Sequence, residues 1–119
     1  MTRALTGSDG ERGSASIVGC AVMAALIAVT AAMLHAGSAV TARHRAQAAA
    51  DLAALAVASA LDRGSASACE RADPIAARMQ VRVRRCTITD WDAVVEVVAP
   101  VPVLGGREAT AVARAGPVE

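Results

Sequence analysis

The 119-residue chain has no phenylalanine, no tyrosine, no lysine and a single tryptophan, Trp91. Without the large aromatic side chains that usually dominate a core, any folded part must be thin and built mainly from Val and Leu. Ala occupies 31 positions and all 12 basic residues are Arg, a bias that looks like GC-rich coding rather than selection for Arg chemistry. The net charge of +1 gives no support to nucleic-acid steering or to a polybasic lipid patch. The most consequential absence is local. From Gly13 to Ala42 there is no Asp, Glu, Lys or Arg, and only His35 interrupts a tract rich in Ala, Val, Ile, Leu and Met.

A bilayer core of ~30 Å is crossed by about 20 apolar helical residues, so this tract can span a membrane with some tilt. A chain this short cannot surround so long an apolar rod as the core of a soluble domain. Within the span Ser16, Cys20, Ala24, Ala28, Ala32 and Ala36 recur every fourth residue, while Val18, Val22, Met23, Leu26, Ile27, Met33 and Leu34 supply bulk. Such a row of small residues lets a second helix approach closely, the usual route to association in lipid. An Ala-rich chain also produces such rows by chance.

The expected organisation has four parts. Residues 1–12 read as a flexible cytoplasmic tail, 13–42 as a transmembrane helix, 43–61 as its amphipathic extension and 62–119 as a small extracytoplasmic domain. In the extension Arg43, His44, Gln47 and Asp51 form a polar stripe, and Leu52, Leu55 and Leu61 form the apolar side. The helix ends near Leu61, before Gly64. A short helix follows from about Ala68 to Met79, with Pro74 able to start it afresh. Val81–Arg84 then alternate, Asp90-Trp91-Asp92 reads as a turn, and Val94–Val98 reads as a second strand. A two-residue turn places Arg85 opposite Glu96 and Val83 opposite Val98. Glu108–Ala115 reads as a third strand. The fold class expected is α+β: one long N-terminal helix, a short helix and a small antiparallel β element.

Candidate chemistry is sparse. Cys69 and Cys86 both follow the span and form a disulfide if that side of the membrane is oxidising; in a cytoplasmic domain they are free thiols. Cys20 is a small packing residue in the tract. Neither Cys69 nor Cys86 has a second Cys or His at ligand spacing, so no metal and no cofactor are expected. His35 fits the interfacial end of the span, and His44 between Arg43 and Arg45 fits headgroup contact. Ser14, Ser16 and Ser38 lack His and Asp partners at motif spacing, and Asp90 and Asp92 are more simply turn formers than an acid–base pair or a cation site. No enzyme is expected. Arg3 and Arg12 before the span balance Arg43 and Arg45 after it, so the positive-inside rule does not decide topology or slightly favours a cytoplasmic C-terminus.

Gly13-Ser-Ala-Ser-Ile-Val opening the span, followed directly after it by Arg43-His-Arg-Ala-Gln-Ala-Ala-Ala-Asp51-Leu-Ala-Ala-Leu-Ala, resembles the TadE/TadG-like family of tight-adherence (Flp) pilus assembly. The nearest likeness is to its short actinobacterial branch, encoded beside secretion genes and a helicase gene. Cys69, a short helix, Cys86 and the Val94-Val95-Glu96-Val97 strand match that branch in order. Arg43, Gln47 and Asp51 are the residues of this chain that carry the family motif. Pilin-like members have a Glu five residues after the Gly at which prepilin peptidase cuts; here that position is Val18, so Gly13 is expected to stay uncut.

The resemblance implies a single-pass component of the inner (cytoplasmic) membrane with its C-terminal domain outside, a minor pilin-like or assembly part of a Flp pilus or related secretion system. Its partners would be the lipid bilayer and other membrane subunits, with a homo-oligomer through the transmembrane helix among the assemblies allowed, and no nucleic acid. The rival expectation is a secreted, disulfide-bonded envelope-binding module released by signal peptidase after Ala42, although its apolar region would be far longer than about 7 to 15 residues.

Overall fold

The structure is a computed structural model that describes residues 9–102 and 105–117. Most of the expected tail, residues 1–8, lies outside the described residues. The chain divides into two compact units, residues 1–35 and 36–119. Helix α1 (Asp9–Ala58) runs through that division, beginning ahead of the expected start at Gly13 or Ser14.

In the first unit every residue from Gly13 to His35 is exposed, including Ile17, Met23, Ile27, Met33 and Leu34. Two polar side chains of this stretch turn back to its own backbone. Thr30 donates its hydroxyl to the Leu26 carbonyl at 2.8 Å, and His35 Nδ1 lies 2.8 Å from the Ala31 carbonyl oxygen. Those local bonds satisfy groups that would otherwise be costly in a medium without water.

In the second unit α1 changes character. Ala42, Ala46, Ala49, Ala50, Ala53, Ala54 and Val57 are all buried, at spacings of three and four that keep one side of the helix inward. All of them but Ala42 share a core with Val95 and Val97 of the sheet. This corrects the expected apolar side. Leu61 packs partly against the core, but Leu52 and Leu55 are 50% and 60% exposed. Alanine has no side chain beyond Cβ, so it lets the helix backbone sit close to the sheet where leucine would hold it off.

After α1 a 3-10 turn (Leu61–Arg63) leads to Gly64, whose φ of 101° is open to glycine and strained for other residues. The expected single helix is two pieces, α2 (Ser65–Cys69) and α3 (Ala72–Arg78), each burying small residues: Ala68 in one, Ala72 and Ala76 in the other. Three antiparallel strands follow in the order β1 (Arg82–Thr89), β2 (Asp92–Pro100), β3 (Glu108–Ala115). Asp90 and Trp91 form the two-residue turn of the first hairpin, with Asp90 at φ 58°.

Arg85 lies opposite Glu96 as expected, but Val83 pairs with Val97 rather than Val98. The register shifts between Val83 and Arg85, and Arg84 is the additional residue of the bulge. The shift has a packing reason. Val83 and Cys86 are an odd number of positions apart, and the added residue lets both join the core-facing side with Ile88. On that side β2 contributes Ala93, Val95, Val97 and Ala99, and β3 contributes Ala111 and Ala113.

Candidate functional site

Cys69 at the end of α2 and Cys86 in mid-β1 are joined by a disulfide with a Cα–Cα distance of 6.0 Å. It ties the short helices to the sheet across 17 residues of chain. Cys20 is free and exposed.

The family-motif residues fall on the exposed side of α1, where Gln47 donates to Asp51 Oδ1 at 3.1 Å, one helical turn on. Between them Ala49 and Ala50 are fully buried against the sheet. The Gln-Ala-Ala-Ala-Asp segment is therefore a two-faced element: alanines make the close helix–sheet seam, while the amide and carboxylate hold each other on the outside. Arg43 is exposed and makes no ion pair among the described residues. His44 is exposed one position away.

Ser16, Cys20, Ala24, Ala28, Ala32 and Ala36 are all exposed. A four-residue step advances about 40° around a helix of 3.6 residues per turn, so this row winds as it rises. Rows at four-residue spacing are one of the ridge types by which helices interlock.

Asp90 and Asp92, weighed as an acid–base pair, are separated in role. Asp90 lies exposed in the turn, whereas Asp92 is ion-paired to Arg114 of β3. A Cβ at Gly116 would meet the Asp92 carboxylate, so a larger residue there would require that side chain to move. Trp91 is 63% exposed at the tip of the hairpin. The solvent face of the sheet carries two more ion pairs, Arg82 with Glu108 at 2.5 Å and Arg84 with Glu96 at 3.6 Å. Exposed pairs of this kind contribute little stability each. No three His, Cys, Asp or Glu side chains converge among the described residues.

One feature escaped sequence reading. A groove of about 420 Å³ lies between the end of α1 and α3, with Ala60, Pro74 and Ile75 along its floor and Arg63, Arg71 and Arg78 around it. Arg71 and Arg78 are seven residues apart, which the sequence could have flagged as one helical face. Their convergence with Arg63 depends on the turn at Gly64.

The class so defined is an α+β protein built on one long N-terminal helix, apolar enough over its first part to cross a membrane, with a small disulfide-tied domain. Residues 13–60 match the family described as "Putative Flp pilus-assembly TadE/G-like", a match that covers less than half of this chain. It is a structural family with no known catalytic activity. Among curated proteins, the Mycobacterium tuberculosis (strain ATCC 25618 / H37Rv) protein named "Apoptosis inhibitor Rv3654c" is 55% identical over 53 residues. That stretch is 44% of this chain and 63% of the relative, so the chain matches less than two thirds of that protein's length. No solved structure matches the chain.

Proposed function

We propose that this protein is a single-pass subunit of the cytoplasmic membrane, its C-terminal domain extracytoplasmic, acting as a minor pilin-like or assembly component of a Flp-type pilus or related secretion system. The observation that carries the reading is that the family-matching segment begins with a helix exposed at every residue from Gly13 to His35, with its bulky side chains outermost. Such a surface suits lipid and neighbouring helices. The disulfide supports the external placement of the domain, because bonded cysteines persist on oxidising sides of membranes. The winding row from Ser16 to Ala36 supports docking through the span.

Retention also accords with the position of Ala42. It is 5% exposed within an unbroken helix, and the residues after it form the core seam with no extended segment between.

The test is site-specific photo-crosslinking from Ala28 in membranes of the native host, together with intact mass of the recovered chain. The expected results are adducts to one or a few membrane subunits, and a chain that keeps its span and is two hydrogens light. Ala28→Leu should weaken capture by roughly fivefold, the equivalent of about 1 kcal/mol of helix packing. A fragment beginning at Arg43 in the medium would replace this reading with a secreted module.

A further inference from the structure

We infer that the groove between α1 and α3 is a docking site for a helical segment of a protein partner, apolar along one side and acidic at the end that lies over Arg63, Arg71 and Arg78. The inference stands on the C-terminal unit alone and does not depend on how the span is used.

The arginines of this unit fall into two sets. On the sheet Arg82, Arg84 and Arg114 each have a carboxylate partner. Around the groove Arg63, Arg71 and Arg78 have none among the described residues, although Asp62, Glu70 and Asp73 adjoin or nearly adjoin them in sequence. None of those acids lines the groove. Arg63, Arg71 and Arg78 thus line one concavity with no carboxylate partner among the described residues, and the planar guanidinium fork is suited to carboxylates.

The floor and the approach say what carries the carboxylates. Ala60, Pro74 and Ile75 make the floor apolar, which suits side chains better than a bare hydrated anion. Leu52, Leu55, Ala56 and Ser59 follow one another at helical spacing on the side of α1 that leads to the groove, and Ala56 and Ser59 line it. The two leucines are half exposed or more, on a helix whose other apolar residues beyond Ala42 are mostly alanines turned inward. An incoming helix with Leu- or Val-type residues at three- and four-residue spacing would cover Leu52 and Leu55, and Asp or Glu in its adjoining turn would meet the arginines. A phosphate or a lipid headgroup would use the arginines and leave the leucines uncovered.

The test uses the full oxidised chain in an uncharged detergent and a fluorescent synthetic helix of about 18 residues with Leu at helical spacing and Glu in its last turns. Arg71→Glu with Arg78→Glu should weaken binding about tenfold, as expected for two exposed charge pairs turned repulsive. The same peptide with Lys for Glu should prefer the double variant to the parent chain, a reversal that altered folding cannot produce. Leu52→Ala with Leu55→Ala should also weaken the Glu peptide. Equal binding of a Gln-for-Glu peptide would overturn the inference, because uptake by the micelle alone gives that result. So would displacement of the peptide by inorganic phosphate at low millimolar concentration, since that would make the groove a phosphate site.

Discussion

Along residues 13–35 of α1 the large apolar side chains point outward beside an uncovered row of small ones; along residues 42–57 the small ones are covered and two leucines stay outside. Both stretches are Ala-rich helix, yet their small residues are spaced differently. The buried set steps by three and four, so it holds to one side and forms a straight seam under the sheet. The exposed set steps strictly by four and turns through about 200° from Ser16 to Ala36. A sheet or a parallel helix could cover only part of such a row. In the proposed assembly the partner of the span therefore crosses at the angle of the four-residue rows, right-handed by about 40 to 50°.

The largest effect that separates the two stretches should come from the Cys69–Cys86 disulfide, which lies in the unit that holds the second of them. Closing a loop across 17 residues contributes about 3 kcal/mol in the chain-entropy model. Reducing the Cys69–Cys86 bond should lower the melting temperature of the C-terminal unit by about 15 °C, measured by circular dichroism at matched detergent. Crosslinking from Ala28 should persist at temperatures where the reduced unit remains folded. Loss of that capture on reduction alone would mean that the two stretches are not independent surfaces.

A smaller effect is expected when the covered seam is overfilled. Ala50 is fully buried between helix and sheet, so Ala50→Leu should cost about 1–3 kcal/mol of stability. Ala28→Leu, the same change in the uncovered row, should leave thermal unfolding of the C-terminal unit unaltered. Equal destabilisation by both would remove the distinction between seam and ridge.

What could be read in the sequence follows from how strongly each residue type signals. The apolar helix was legible because no charge occurs between Gly13 and Ala42, and the first hairpin because the alternating Val81–Arg84 and the run Val94–Val98 flank Asp90-Trp91-Asp92. The third strand fell at Glu108–Ala115 as read. The inward side of α1 was misread because leucine outweighs alanine on any hydrophobicity scale, whereas close packing against a sheet favours the residue with no reach. The bulge at Arg84 carries no glycine to announce it. Of the candidate site, the cysteine pair and the exposed Gln47 and Asp51 were visible in order and spacing, but the three-arginine groove was not, since Arg63 meets Arg78 only after the chain reverses past Gly64.

The smallest effect is the sharpest check on that misreading. If Leu52 and Leu55 faced the core, truncating either to Ala would cost about 2–5 kcal/mol. At 50% and 60% exposure the structure instead expects each change to stay within about 0.5 kcal/mol in urea unfolding of the full chain, with the slope unchanged. Because Ala also has the higher helix propensity, the double substitution should sit at the favourable end of that range. Two large leucines whose removal costs no stability would leave their size to be explained by something they touch outside this chain, and a loss of stability on truncation would return them to the core and straighten out the contrast between the two stretches of α1.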